Sequence, residues 1–134
     1  MAGIYDAASA ANPALRKKLA PTGWHIPSDD EWTILTTFLG GATIAGGKMK
    51  EMGTALWISP NTDATNSSGF TGLPAGSRYD DGSFYSARGY GYWWSSSENF
   101  TTDAWYRSLG YSYGYAYRYS NFKEVGFSLR CLRD

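Results

Sequence analysis

One cysteine and one histidine stand among the 134 residues, and these two scarcities exclude a good deal of chemistry. A lone Cys131 closes no intrachain disulfide and builds no thiolate metal cluster. A lone His25 supplies no multi-histidine zinc or iron site. Net charge is missing too: 12 Lys and Arg against 12 Asp and Glu leave the chain formally neutral. Nucleic-acid binders show a basic excess, so nucleic acid is not an expected partner. No apolar run approaches the ~20 residues that cross a bilayer, so no membrane span is expected. Residues 1–19 also lack the basic start and apolar core of a secretory signal.

Aromatic residues and glycine are abundant instead: 11 Tyr, 6 Trp, 6 Phe and 16 Gly. Such a chain is expected to be rich in strands, loops and tight turns. With 43% hydrophobic and 18% charged residues the composition is globular, and the length suits a single domain over residues 1–134.

Residues 1–20 are Ala-rich and read as a loosely packed lead-in. Trp24-His25-Ile26 reads as a short extended segment, since Pro27 disfavours helix at the residue before it. Ser28-Asp29-Asp30-Glu31 then forms a capping box, with acidic groups where the helix dipole favours them. Trp32, Leu35, Phe38 and Leu39 recur at helical spacing until Gly40-Gly41 stops the run. A second, short helix is expected over residues 43–52, with Ile44, Met49 and Met52 inward and Gly46-Gly47 weakening it.

Residues 57–76 show no periodicity, and a long ordered loop of this kind is usually functional or tightly hydrogen-bonded. Asp80-Asp81-Gly82 joins residues 76–79 to 83–86 as a hairpin. Strands are expected over residues 92–95, 104–109, 115–119 and 125–132. In the last of these, Val125, Phe127, Leu129 and Cys131 form a buried face. The expected class is α+β: one or two helices packed on a short-stranded antiparallel sheet with long loops.

The strongest functional signal is the run from Tyr111 to Phe122, with five tyrosines among Ser, Gly, Ala, Arg and Asn. Tyrosine gives stiff contact area with a hydroxyl at its tip, and small polar neighbours adapt around it, as in antibody paratopes. Strand alternation puts Tyr115, Tyr117 and Tyr119 on one face and Ala116 and Arg118 on the other. If Ala116 faces inward, the tyrosine row points out. The competing reading is that these rings pack on one another across a sheet. Alternation continued from Trp105 would send Tyr111 and Tyr113 to the core side unless Gly110 breaks register. The binding reading takes Tyr111, Tyr113, Tyr115, Tyr117, Tyr119, Asn121 and Phe122 as ligand contacts, with Asn99, Phe100 and Tyr106 as neighbours.

Other constellations have plainer explanations. Asp63, Asn66 and Asp80-Asp81 offer oxygen ligands of a kind suited to calcium, but turns use the same residues, and no metal or other cofactor is expected. His25 in a framework string reads as structural, and no catalytic residue is assigned. Most of the tryptophans read as core. Trp57, in the long loop, is the one that carbohydrate stacking would use.

Several strings resemble one family: Gly23-Trp24-His25-Ile26-Pro27-Ser28-Asp29-Asp30-Glu31-Trp32, Tyr92-Trp93-Trp94-Ser95-Ser96-Ser97-Glu98, Ala104-Trp105-Tyr106-Arg107-Ser108-Leu109 and the closing Gly126-Phe127-Ser128-Leu129-Arg130-Cys131-Leu132-Arg133-Asp134. Together they look like the Fibrobacter succinogenes major paralogous domain, over roughly residues 20–134. The resemblance implies a C-type-lectin-like fold, related in shape to the formylglycine-generating enzyme group, and a place at the cell surface or outside the cell. Some members are variable proteins of diversity-generating retroelements, and residues 92–134 are similar in layout to such a ligand-display region. The expected function is therefore non-catalytic recognition of a protein or glycan ligand. The alternatives are a metal-dependent enzyme of the formylglycine-generating type, or a structural pilus-tip or surface subunit.

Overall fold

The computed structural model describes residues 19–134; the expected lead-in, apart from Leu19 and Ala20, lies outside them. The elements run β1 (Trp24–His25), α1 (Asp29–Phe38), α2 (Ala42–Met49), β2 (Ser77–Arg78), β3 (Phe84–Tyr85), β4 (Tyr90–Glu98), β5 (Asp103–Gly110), β6 (Ala116–Phe122) and β7 (Leu132–Arg133). They form three open antiparallel sheets, β1-β7, β2-β3 and β4-β5-β6. The fold is α+β, with short strands and two helices, as the sequence pattern predicts.

Helix α1 starts where the capping box places it. The Glu31 amide donates to Ser28 Oγ, and the Ser28 amide donates to Glu31 Oε2 at 2.8 Å. Trp32, Thr36 and Leu39 form its buried stripe. Phe38 does not join them and is 85% exposed, because it lies about one residue of helical rotation off the stripe that Trp32 and Leu39 define. Helix α2 ends at Met49, short of the expected residue 52; Met49 is buried as expected, but Ile44 faces outward and Met52, beyond the helix, is exposed.

The glycine pair in α2 has a positive use. A Cβ on Gly46 would collide with the Tyr115 carbonyl, and one on Gly47 with the Asp63 carbonyl. Two backbones meet there at a distance that only glycine permits, and the Gly47 amide donates to Gly114 O at 2.9 Å.

Each face of the β4-β5-β6 sheet contributes to a hydrophobic cluster, with different partners. One face carries Trp93, Leu109 and Ala116, which join Trp32, Leu39, Ala45, Met49 and Trp57 in the main core under the helices. The opposite face carries Trp94 and Ala104, which pack with Val125, Phe127 and Leu129. Trp57 is fully buried, with its indole N–H donating to Gly72 O; it is core, and the carbohydrate-stacking reading of it falls.

Residues 125–132 do not form the expected single strand. Gly126 bridges Arg78 and Ser128 bridges Trp93, and only Leu132–Arg133 forms a ladder, with β1. The segment crosses from the hairpin to β4 and on to β1, so its pairing is shared among three partners. Cys131 is accordingly only half-buried.

An ion triad ties helix to sheet. Arg107, 2% exposed, donates from Nη1 to Asp29 Oδ1 at 2.6 Å, while Arg118 Nη2 lies 2.8 Å from Asp29 Oδ2. Arg107 Nη2 also donates to Asp29 O and Thr33 Oγ1, and the Asp29 amide donates to Ser97 Oγ. Burial opposes ionisation of Asp29, but the hydrogen bonds from Arg118 and Arg107 outweigh it and hold its carboxyl below the ordinary 3.8. At the chain's other join, His25 lies 2.7 Å from Asp134 Oδ1 and 2.9 Å from Glu31 Oε1. Those two carboxylates raise its imidazole above 6.5.

Two predictions follow from these charges. Removing the Asp29 carboxylate leaves Arg107 buried without a counter-ion, so Asp29→Asn should cost about 3–5 kcal/mol in urea unfolding. A depressed carboxyl stabilises the fold above its unfolded value and loses that contribution as pH falls through its folded value. Wild-type melting should therefore drop below pH ~4 with an Asp29 component that the variant lacks. The raised His25 works in the opposite sense, stabilising below its unfolded value and losing this as pH rises through the folded one. An NMR titration should place its midpoint above 6.5, and Asp134→Asn should lower it; a midpoint at or below 6.5 would break the clamp.

Candidate binding surface

The face of the β4-β5-β6 sheet turned away from the helices is paved with aromatic rings. Register sets the pattern: Tyr92 stands opposite Ser108 and Ser108 opposite Tyr117, while Trp94 stands opposite Tyr106 and Tyr106 opposite Tyr119. Next along, Tyr90 faces Gly110. The small residues of β5 thus leave a trough between the tyrosines of β4 and β6.

Tyr113 fills that trough. A Cβ on Gly110 would collide with its ring and hydroxyl. Its ring lies 6.4 Å from Tyr90 and 5.0 Å from Tyr117. The turn after Gly110 thus breaks strand alternation and brings Tyr113 onto the aromatic face. Tyr111 stays at the margin, half-buried against the main core with an edge contact to Tyr90.

Within each strand the rings stand beside one another. Tyr90 and Tyr92 stack at 5.9 Å with 11° between their planes, and Tyr117 and Tyr119 at 5.5 Å with 30°. Side chains on a strand rise roughly perpendicular to the sheet, so stacked neighbours cover each other's faces and present their edges and hydroxyls. Tyr115, 42% exposed, and Tyr119, 51% exposed, are the outermost rings of the row. Ala116, between Tyr115 and Tyr117, is buried, so the row points outward.

Tyr106 is lower in the surface. Phe127 packs on it at 4.8 Å and also covers Tyr92 and Trp94. Burial pushes the hydroxyls of both Tyr106 and Tyr113 up to about 12. Neither ionises near neutrality, so both act as neutral donors and acceptors.

The remaining candidates lie elsewhere on the sheet. Asn121 shares the parity of Tyr117 and Tyr119, and its Oδ1 accepts from the Phe122 amide. Phe122, exposed, has the parity of Ala116 and Arg118 and so belongs to the other face. Asn99 and Phe100 form the β4–β5 turn: Asn99 Nδ2 donates to Ser120 Oγ, and Phe100 projects from the tip, 67% exposed. Sequence reasoning missed Tyr90, which precedes the expected strand over residues 92–95, and Tyr92, which lies in it. Strand parity carried the signal, since Tyr90, Tyr92 and Trp94 alternate with Gly91 and Trp93.

A buried lysine fixes the tyrosine turn from below. Lys50 is fully enclosed, and its Nζ donates to Thr62 O at 2.7 Å and to Gly110 O and Tyr113 O at 2.8 Å. The Thr62 amide donates to Tyr111 O, which ties the long loop to the same turn. Burial pushes the Lys50 ammonium down to about 8, with Asp63 opposing, so it remains charged at neutral pH. Among the described residues no group of three His, Cys, Asp or Glu side chains gathers as a metal site, and no helix is long and apolar enough to cross a membrane. Lys50→Met would leave three carbonyls without this donor, at about 1–3 kcal/mol for each one left unsatisfied. It should lower the melting temperature and speed amide exchange at residues 111–115; unchanged exchange there would refute the anchoring role.

Comparison with known proteins adds one finding. Searches of curated proteins and of solved structures return no significant match. The family model described as the Fibrobacter succinogenes major domain matches residues 3–133, beginning well ahead of residues 20–134, roughly the stretch over which the motif strings carry the resemblance. A match of that extent settles membership: the chain belongs to the Fibrobacter succinogenes major domain family.

Proposed function

We propose that this domain is a non-catalytic recognition module that presents its tyrosine-paved face to a protein or glycan ligand outside the cell. The observation that carries the reading is the outward row of Tyr115, Tyr117 and Tyr119, exposed at Tyr115 and Tyr119 and half-buried at Tyr117, at the start of and along a strand whose alternate side chains Ala116 and Arg118 turn to the helix-side core and the Asp29 triad. Rings held this way lose little freedom on binding, so contact area converts to affinity with a small ordering cost. Their hydroxyls add hydrogen bonds at the rim of an aromatic contact. A C-type-lectin-like architecture, and diversification of the display region by a retroelement, both fit the same reading. A repeat in the coding DNA differing at adenines, beside a reverse transcriptase gene, would establish the diversification.

The test is the triple substitution Tyr115→Ala, Tyr117→Ala, Tyr119→Ala, screened beside the wild type on a glycan array and a yeast-displayed library of protein fragments. The wild type should capture ligands that the variant loses, with melting temperatures within a few degrees of each other. A variant that unfolds, or that keeps its ligands, would show the row to be structural.

A further inference from the structure

The two outer edges of the β4-β5-β6 sheet are treated differently. The β4 edge is sealed: Gly76 and Ser128 amides donate to Tyr90 O and Tyr92 O, and Trp94 and Ser96 amides donate to Ser128 O and Pro27 O. These bonds show that even-numbered residues of β4 point away from β5. In an antiparallel ladder the pointing alternates from residue to residue. With Trp93 opposite Arg107 and Tyr106 opposite Tyr119, Tyr117 and Tyr119 therefore bond to β5, while Arg118 and Ser120 turn their amides and carbonyls outward. Among the described residues no backbone group meets those of Arg118 and Ser120. Such an edge is a template for an added strand.

We propose that the ligand is an extended polypeptide segment that joins the sheet beside β6, with one face of its side chains on the tyrosines. This rests on the recognition reading above and names its ligand class. Three features favour a peptide strand over a sugar. The outward groups of Arg118 and Ser120 supply donors and acceptors at strand spacing. The stacked pairs Tyr90/Tyr92 and Tyr117/Tyr119 cover their own ring faces, whereas a sugar stacks on an open face. The paved positions 90, 92, 106, 108, 110, 117 and 119 also hold no carboxylate to grip sugar hydroxyls.

Charge sets the other side of the added strand. Two guanidiniums, Arg107 and Arg118, share the single Asp29 carboxylate, which leaves a net charge of +1. The member nearest the edge is Arg118, whose side chain is 45% exposed and lies 3.5 Å from the Trp105 ring centre. A residue of the incoming strand opposite Arg118 lies on the same face, and opposite charges in that position attract. The segment should carry a carboxylate there and uncharged side chains toward Tyr117 and Tyr119.

A yeast-displayed random dodecapeptide library, sorted on the immobilised domain, supplies the probe. Ser120→Pro deletes an outward amide that the β5–β6 ladder does not use, a change that edge strands tolerate; Ser120→Ala controls for the hydroxyl. Selected peptides should be enriched in Asp or Glu at one position. They should bind Ser120→Pro about tenfold or more weakly, as the loss of a backbone hydrogen bond and a clash at the edge require, and bind Ser120→Ala normally. Amides of Arg118 and Ser120 should exchange fast in the free domain and slowly with peptide bound.

If Tyr117→Ala with Tyr119→Ala abolishes binding and Ser120→Pro does not, strand addition is overturned while the tyrosine surface stands. If neither variant weakens the selected peptides, both readings fail. A library that yields no binder, or a dimer in sedimentation that Ser120→Pro dissolves, overturns the proposal in favour of another ligand or a second copy of the chain.

Discussion

The Asp29 carboxylate is the point on which helix and sheet agree. It sits in the first turn of α1, where the helix dipole favours a negative charge, and it receives guanidiniums from two neighbouring strands. Arg107 is nearly inaccessible to solvent, so its charge is tolerable only with this partner and with the Thr33 hydroxyl beside it. The orientation of α1 over β5 and β6 follows from that pairing. So does the parity of β6, because Arg118 must turn toward the helix and its neighbours Tyr117 and Tyr119 must then turn away.

Much of this architecture is legible along the chain, and the legible parts are local. The capping box at Ser28 and Glu31, the hairpin at residues 80–82 and the three long strands each rest on neighbours in sequence. Inward Ala116 beside outward tyrosines also needs only alternation. What escapes is set by distant partners. Gly46-Gly47 looks like a weakness in a helix until the backbone of Tyr115 lies against it. Lys50 looks like an ordinary surface charge until three carbonyls, one from the long loop and two from the turn after β5, converge on its ammonium. Trp57, in a loop without periodicity, gives no local sign of being core.

The misplaced residues share this cause. The alternation of residues 125–132 is real, but the segment passes between several partners, so pattern does not translate into one strand. Phe122 continues the aromatic run in sequence and yet stands on the opposite face, since composition ignores parity. Tyr92 shows the reverse error, belonging to the paved surface although its string reads as framework, and Tyr90 joins it from just ahead of that string.

Parity has a consequence for how such a surface can change. On β6, Ala116 and Arg118 hold the fold while Tyr117 and Tyr119 turn outward, so neighbouring codons fall under unrelated constraints. Chemistry at positions 115, 117 and 119 is expected to be more exchangeable than that of Ala116 and Arg118. Tolerance to mutation on this strand is therefore expected to rise and fall with a period of two.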